Sequence, residues 1–320
     1  MKAVPVVLAA SLAMTALAAQ AAEREVTIDG GRAPLSGTLL TPDGARPGPA
    51  VLLIAGSGQT DRDGNSSVAS VRPANLKLLA EGLAAHGVAS LRYDKRGFGG
   101  SRAAMVAERD LRFTTYVDDA ASWARFLQNQ PGVTCVILAG HSEGALIAPL
   151  AARQVKTCGV ISIDGMGRPL GVVLRGQLAA AGLPPDQLAE ADHIISELEQ
   201  GREVPDRPPT DPLSRPSIQP YLISQLTIDP VAALKAAPAP VLIIQGETDI
   251  QVSVDDAHLL AAGRPDASLV IIPGMNHVLK LAPVDRAANI ATYADPTRPL
   301  APGVMEAVDA FVDRAREAHN

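Results

Sequence analysis

The sequence predicts an α/β fold: a mostly parallel central sheet, helices on both faces, and an inserted helical cap. Three observations predict it. Short Val/Ile/Leu-rich runs that end in glycine or a polar turn alternate with longer stretches of period near 3.6. The short runs are continuously apolar, as strands buried on both faces must be. The alternation fails once, between about Met166 and Pro240, and then resumes. With 320 residues, 47% of them hydrophobic, the chain can fill one large core and still carry an insertion.

The elements follow in order. Lys2 and the apolar run "AVPVVLAASLAMTALAA" precede "AQA" (Ala19-Gln20-Ala21), a small-residue cleavage site, so residues 1–21 read as a signal peptide. The apolar stretch is short for a stable membrane span. The mature chain is therefore expected to be secreted or periplasmic, with no stable membrane insertion after cleavage. "REVTI" and "LSGTLLTP" read as an antiparallel opening pair, and "PAVLLIAGSG" as a buried strand entering a glycine turn. "ANLKLLAEGLAAHG" is an amphipathic helix closed by Gly87, and "VASLRYDKRGFGGS" a strand with a tight loop. "YVDDAASWARFLQNQPG" is a helix with acids in its first turn and a Pro-Gly stop. "VTCVILAGHSEG" is a strand that breaks directly into the helix "GALIAPLAARQV", and "CGVISIDG" is the next strand. Residues 166–240 are read as the cap: no clear strand, a helical stretch with a Pro-Pro break, then a proline-rich loop. The alternation resumes with "APVLIIQGETD", "VDDAHLLAAG", "ASLVIIPGMNH" and a final helix, "GVMEAVDAFVDRAREA". Residues 22–165 and 241–320 are thus assigned to the core.

Charge and cysteine content narrow the function. A net charge of −6 offers no basic field for nucleic acid. Two cysteines, an even number in an exported chain, permit a disulfide. Cys135 and Cys158 begin successive strands, so they lie side by side if those strands are neighbours. The alternative is two separate buried thiols.

In parallel sheets, chemistry collects beyond the C-terminal ends of the strands. Ser142 follows the strand "VILA", Asp249 follows "VLII", and His277 follows "LVII". A serine hydroxyl is a weak nucleophile at neutral pH and needs a base within hydrogen-bond reach. His277 would take its proton, and Asp249 would hold the imidazole in the right tautomer. Glu247, Asp255, Asp256 and Asp164 are rival acids; Asp164, after the sixth strand, is the one able to substitute. Gly140 and Gly144 leave room for a sharp strand-to-helix turn at Ser142. The backbone N–H of Glu143 would face a developing oxyanion from the helix N-terminus. A second donor is expected from "AGSGQTDRDGN": Ser57 first, with Gly58 or Gln59 as alternatives.

The runs "GSGQTDRDGN", "YDKRGFGGS", "GHSEG", "QGETDIQV" and "GMNH" cover nearly the whole mature chain in a consistent order. With them the chain resembles an α/β-hydrolase of the esterase/lipase and serine-aminopeptidase-like group. "GSGxxDRDGN" is similar to a subset of bacterial carboxylesterases acting on short acyl esters. The resemblance implies Ser142 as nucleophile, Asp249 as acid and His277 as base, with no metal and no organic cofactor.

The expected activity is hydrolysis of a small-molecule carboxylic ester. A peptidase or amidase and an acyltransferase share the triad; a non-catalytic binding protein on the same scaffold is the remote alternative. Gln59 and Tyr221 are the expected substrate contacts, Tyr221 as the one aromatic residue of the insertion. "DKRGFGGS" and "TDRDGN" read mainly as loops tied by their own charges, and His141 as support for the turn. The carboxylate of Glu143 suits the first turn of a helix, with a substrate amine as its alternative partner.

Overall fold

The computed structural model describes residues 22–66, 70–211 and 214–319; the expected signal peptide lies outside the described residues. Eight strands form one sheet: β1 (Ala22–Ile28), β2 (Leu35–Thr41), β3 (Gly48–Ile54), β4 (Ala89–Tyr93), β5 (Val133–His141), β6 (Gly159–Ile163), β7 (Val241–Gly246) and β8 (Ser268–Ile272). Their spatial order is β1-β2-β4-β3-β5-β6-β7-β8. The β1–β2 and β2–β4 pairs are antiparallel, and every later pair is parallel. The central strands β3, β6 and β7 are buried along their whole length, which is why they read as unbroken apolar runs.

Ten helices are described. In the first half these are α1 (Asn75–Ala85), α2 (Phe113–Gln128) and α3 (Glu143–Ala151). The insertion contributes α4 (Leu170–Ala180), α5 (Pro185–Glu199) and α6 (Gln219–Leu226), and α7 (Pro230–Lys235) follows. The last three are α8 (Val254–Gly263), α9 (Arg286–Ala291) and α10 (Val304–His319). Alternate residues of each strand serve opposite layers. Leu52, Ile54, Val136 and Leu138 pack with α2, α3 and α8, whereas Val51, Leu53 and Ile137 pack with α1 and α10. Gly87 ends α1 at φ 74°, a conformation that favours glycine.

One boundary differs from the sequence reading. Residues 230–235, expected within the cap, form α7, which packs on α3 and α8 and sends Ala233 and Leu234 into the main core. A parallel β6-to-β7 connection needs a covering crossover, and α7 supplies it. The rest of the insertion keeps a small core of its own: Ile194, Leu198 and Leu226. Among the described residues, no helix is long and apolar enough to cross a membrane.

Cys135 in β5 and Cys158, one residue before β6, are joined by a disulfide, with Cα atoms 5.8 Å apart. The bond closes a separation of 23 residues at the edge opposite Ser142. Loop closure of that size stabilises a fold by about 3 kcal/mol. Thiol titration of the unfolded, unreduced protein is expected to find no free thiol, and two after reduction. One or two free thiols before reduction would contradict the pairing.

Candidate active site

The site begins at the break between β5 and α3. Ser142 sits at φ 55° and ψ −116°, outside the ordinary regions for a residue with a side chain. The surrounding backbone forces this turn. A Cβ on Gly140 would lie 1.9 Å from the carbonyl oxygen of Gly144, and one on Gly144 would lie 2.3 Å from that of Ile54. Both positions therefore require glycine for close approach. The Ser142 N–H donates to the Ile163 carbonyl (2.9 Å), which ties the turn to β6. Strain of this kind persists only where the surroundings over-determine it.

The loops after β7 and β8 bring the other two residues to Ser142. His277 Nε2 lies 3.0 Å from Ser142 Oγ, and His277 Nδ1 lies 2.7 Å from Asp249 Oδ2. Asp249 Oδ2 also accepts from Gln245 Nε2 (3.3 Å), and its Oδ1 accepts the backbone N–H groups of Gln251 (2.7 Å) and Val252 (3.1 Å). The side chains of His277 and Asp249 are buried, and Ser142 is partly exposed. A base thus faces a reachable hydroxyl, and a carboxylate fixes the base from behind.

The rival acids have other partners. Glu247 accepts from the Gly274 N–H, and Asp256 closes a capping box with Ser253 and pairs with Arg168. Asp164 accepts from the Gly246 N–H (2.8 Å) through Oδ1, and its other oxygen is buried without a partner. Burial first, and then the nearby Asp249 charge, push its carboxyl well above the usual carboxylate range, which favours its neutral form. The folded state then keeps a proton that the unfolded chain releases above about pH 4. The stability from Asp164 is complete below that pH and falls as pH rises toward the folded value. Asp164→Asn, which mimics the protonated form, should flatten the decline of melting temperature between pH 4 and pH 8. Parallel melting curves for the two proteins would refute a protonated Asp164.

His141, adjacent to the nucleophile, is buried with Nε2 2.7 Å from the His277 carbonyl, and its ring lies 4.9 Å from that of His277. Burial and the neighbouring imidazole lower it to about 3, so it is neutral and can donate to that carbonyl. It therefore supports the backbone that carries His277.

The expected oxyanion positions flank Ser142. A Cβ on Gly56 would lie 3.2 Å from Ser142 Cβ, so the loop after β3 touches Ser142. Within the described residues no hydrogen bond occupies the backbone N–H of Ser57 or of Glu143. Ser57, Gly58 and Gln59 are all exposed. Gln59 thus lies on the outer rim of this loop.

One sequence expectation is corrected, and another gains a partner. Tyr221, expected to contact substrate, is buried against Phe113 and Tyr116, and its hydroxyl donates to Glu143 Oε2 (2.8 Å). Glu143 is the first-turn acid of α3 that the sequence suggested; its carboxylate is buried, and its Oε1 accepts from Lys95 Nζ (3.0 Å) rather than from a substrate amine. The missed residue is Lys95. Its signal was its position directly after a buried strand, at the edge where chemistry collects.

The charged loops are tied outward to the sheet as well as within themselves. Arg62 reaches Asp94 (2.7 Å) and Glu25 (2.6 Å), and Asp63 accepts from Arg92 (2.7 Å). Asp61 Oδ1 accepts the N–H groups of Asp63 and Asn65, which closes the turn from inside. Arg96 pairs with buried Asp119. The insertion is tied down too: Phe113 N–H donates to Ser224 Oγ (2.8 Å), Glu108 pairs with Arg215, and Gln177 Nε2 donates to the Gln251 carbonyl (3.1 Å). Between α4 and the Asp249 loop runs a cleft of about 180 Å³, lined by apolar Val172, Val173, Ile250 and Val252 and by polar groups that include Arg168 and Asp249. His141, Asp164 and His277 come close enough to suggest a metal cluster, but His277 is already bonded to Asp249 and Ser142.

Comparison with known proteins agrees with this architecture. The chain is 29% identical over 266 residues to Esterase EstD of Thermotoga maritima, covering 80% of this chain but only 60% of that protein's length. Solved structures share the fold at low identity. One is Est1E from Butyrivibrio proteoclasticus (TM-score 0.57, 19% identity, 90% of this chain and 99% of that one). Another is a Pyrococcus furiosus esterase (TM-score 0.56, 17% identity, 97% and 96%). A third is the alpha/beta hydrolase GrgF from a Penicillium species (TM-score 0.59, 18% identity, 93% and 99%). The family described as "Alpha/beta hydrolase family" matches residues 51–292, from within β3 to beyond His277. With that match spanning most of the sheet and the loops around Ser142, the chain belongs to the alpha/beta hydrolase family.

Proposed function

We propose that this protein is an exported serine hydrolase that cleaves carboxylic esters of short to medium acyl chains through an acyl-enzyme on Ser142. The observation that carries the reading is His277, hydrogen-bonded on one side to Asp249 and on the other to Ser142 Oγ. Ser142 Oγ attacks the carbonyl carbon as His277 Nε2 takes its proton. The tetrahedral oxyanion is held by the backbone N–H groups of Ser57 and Glu143. His277 then protonates the leaving alcohol, and the acyl group stays on Ser142. Water, deprotonated by His277, attacks that ester, and the carboxylic acid leaves.

Several features support the finer points. The matched relative from Thermotoga maritima and the structural neighbour from Pyrococcus furiosus bear the name esterase. The cleft beside Asp249 combines Val172, Val173, Ile250 and Val252 with polar Arg168, Gln177 and Gln251, and its volume of about 180 Å³ suits a short acyl or alkoxy group. The insertion supplies one wall of it through α4, so α4 to α6 act as the cap that limits acyl length. Export is supported by the apolar leader and by the disulfide, which persists in an oxidising compartment.

The test is a series of p-nitrophenyl esters from acetate to dodecanoate, run beside aminoacyl anilides. The expected result is highest kcat/KM at the short end of the esters and little turnover of anilides. Preferential anilide cleavage would move the protein to the peptidase or amidase class. An inert protein that a fluorophosphonate probe also fails to label would end the serine-hydrolase reading.

A further inference from the structure

We propose that Lys95 is a positioning residue that orients the Gly56–Ser57 peptide for oxyanion binding, and that Glu143 and Tyr221 hold Lys95 to this task. The inference rests on the reading of Ser142 as the nucleophile. A fully buried lysine is rare and costly unless its donors are met. Lys95 Nζ donates to the Gly56 carbonyl (2.5 Å) and to Glu143 Oε1 (3.0 Å), and it lies 5.1 Å from the centre of the Tyr116 ring. The second oxygen of Glu143 accepts from Tyr221 of α6. One ammonium thus joins the loop after β3, the loop after β4, the first residue of α3, helix α2 and, through Glu143, the insertion.

The geometry of the peptide unit turns this contact into a function. The carbonyl of Gly56 and the N–H of Ser57 belong to one planar trans amide and point in opposite directions. Holding the carbonyl against buried Lys95 directs the N–H away from the interior, on the loop that touches Ser142. Gly56 carries no Cβ to resist rotation of this amide, and Gly58 next to it sits at φ 73°. Without a tether the unit is free to flip and to present a carbonyl oxygen to the developing negative charge, which repels it.

Glu143 has two parts in the arrangement. Its backbone N–H is the other proposed donor, and its side chain grips the same lysine that holds Gly56. The bridge from Glu143 through Lys95 to Gly56 therefore sets the spacing of the two donors. Stability alone is a poor account of it, because apolar side chains of similar volume often replace a buried ion pair without loss. No apolar side chain can hold the Gly56 carbonyl.

The test variant is Lys95→Met combined with Glu143→Gln, which removes both charges without leaving either one buried alone. Folding is checked by circular dichroism and thermal melting, with wild type and Ser142→Ala run alongside on p-nitrophenyl acetate. The expected result is a kcat lowered about 10²–10³-fold, as when an oxyanion donor is lost. KM should stay within about threefold, and the pH midpoint of kcat/KM should be unchanged, because the His277–Asp249 pair is untouched. Inhibition by phenylboronic acid, whose tetrahedral adduct uses the same donors, should weaken by at least 10-fold. Tyr221→Phe removes a single hydroxyl from a packed ring and serves if the double variant does not fold; its kcat should fall about 3- to 10-fold at constant KM. A folded double variant with kcat near wild type, a shifted pH midpoint, or a loss confined to KM would overturn the proposal, as would an unchanged kcat in Tyr221→Phe. Activity that survives in Ser142→Ala would instead overturn the underlying reading of Ser142.

Discussion

Replacing Ser142 with alanine is expected to abolish fluorophosphonate labelling and to lower ester turnover by roughly 10⁴- to 10⁶-fold, with the melting temperature nearly unchanged. The size follows from the loss of the only atom that forms the acyl bond; the residual rate belongs to substrate binding and the oxyanion donors. The small effect on stability follows from the contacts. Ser142 Oγ meets His277 Nε2 and makes no cap bond to α3. The strained turn is held by backbone groups, Ser142 N–H on Ile163 and Ala145 N–H on Ser142, and alanine keeps both. His277→Ala should cost at least 100-fold, since general base catalysis supplies roughly 10²–10⁴. Combining the two should cost little more than Ser142→Ala alone, because the pair acts as a unit. A Ser142→Ala protein that retains a tenth of the wild-type rate would remove Ser142 from the chemistry.

The positions of Ser142, Asp249 and His277 were legible because each directly follows an apolar run, and a parallel sheet gathers those strand ends at one edge. The glycines of "GHSEG" were legible for a related reason: a Cβ at Gly140 or Gly144 would lie 1.9 or 2.3 Å from a backbone oxygen, which excludes any side chain. The insertion was harder. Helix α7 is six residues long and begins with proline after a capping Asp229, too short a stretch for helical periodicity to mark it as part of the core. The Lys95–Glu143–Tyr221 cluster was harder still. Its members lie 48 and 78 positions apart, and each has an ordinary local reading: a loop lysine, a first-turn acid, an aromatic residue in a cap. Only the packing of α6 on α2, which brings Tyr221 to Glu143, reveals that the three share one buried site. Periodicity reports which face of an element is buried, but not which buried polar groups meet.

Asp249→Asn is expected to lower kcat by about 10⁴-fold while leaving the fold intact and Ser142 in place. The direction of the hydrogen bonds explains why so small a change should matter. Asp249 Oδ1 accepts two backbone N–H groups, from Gln251 and Val252. An asparagine keeps both only by placing its carbonyl oxygen there. Its NH2 group then faces His277 Nδ1, where Asp249 Oδ2 stood at 2.7 Å. An NH2 group cannot accept a proton donor, so Nδ1 must become the acceptor and the imidazole proton moves to Nε2. The N–H now points at Ser142 Oγ, and the base has no lone pair for the hydroxyl proton. Asp164 offers no simple rescue, because its Oδ1 is engaged with the Gly246 N–H and burial favours its neutral form. The loss should ease as pH rises and hydroxide takes over the proton transfer, whereas wild-type activity should level off. Melting temperature, kcat and the pH profile of Asp249→Asn decide the matter. A folded variant within 10-fold of wild type at neutral pH would mean that Asp249 does not set the tautomer of His277.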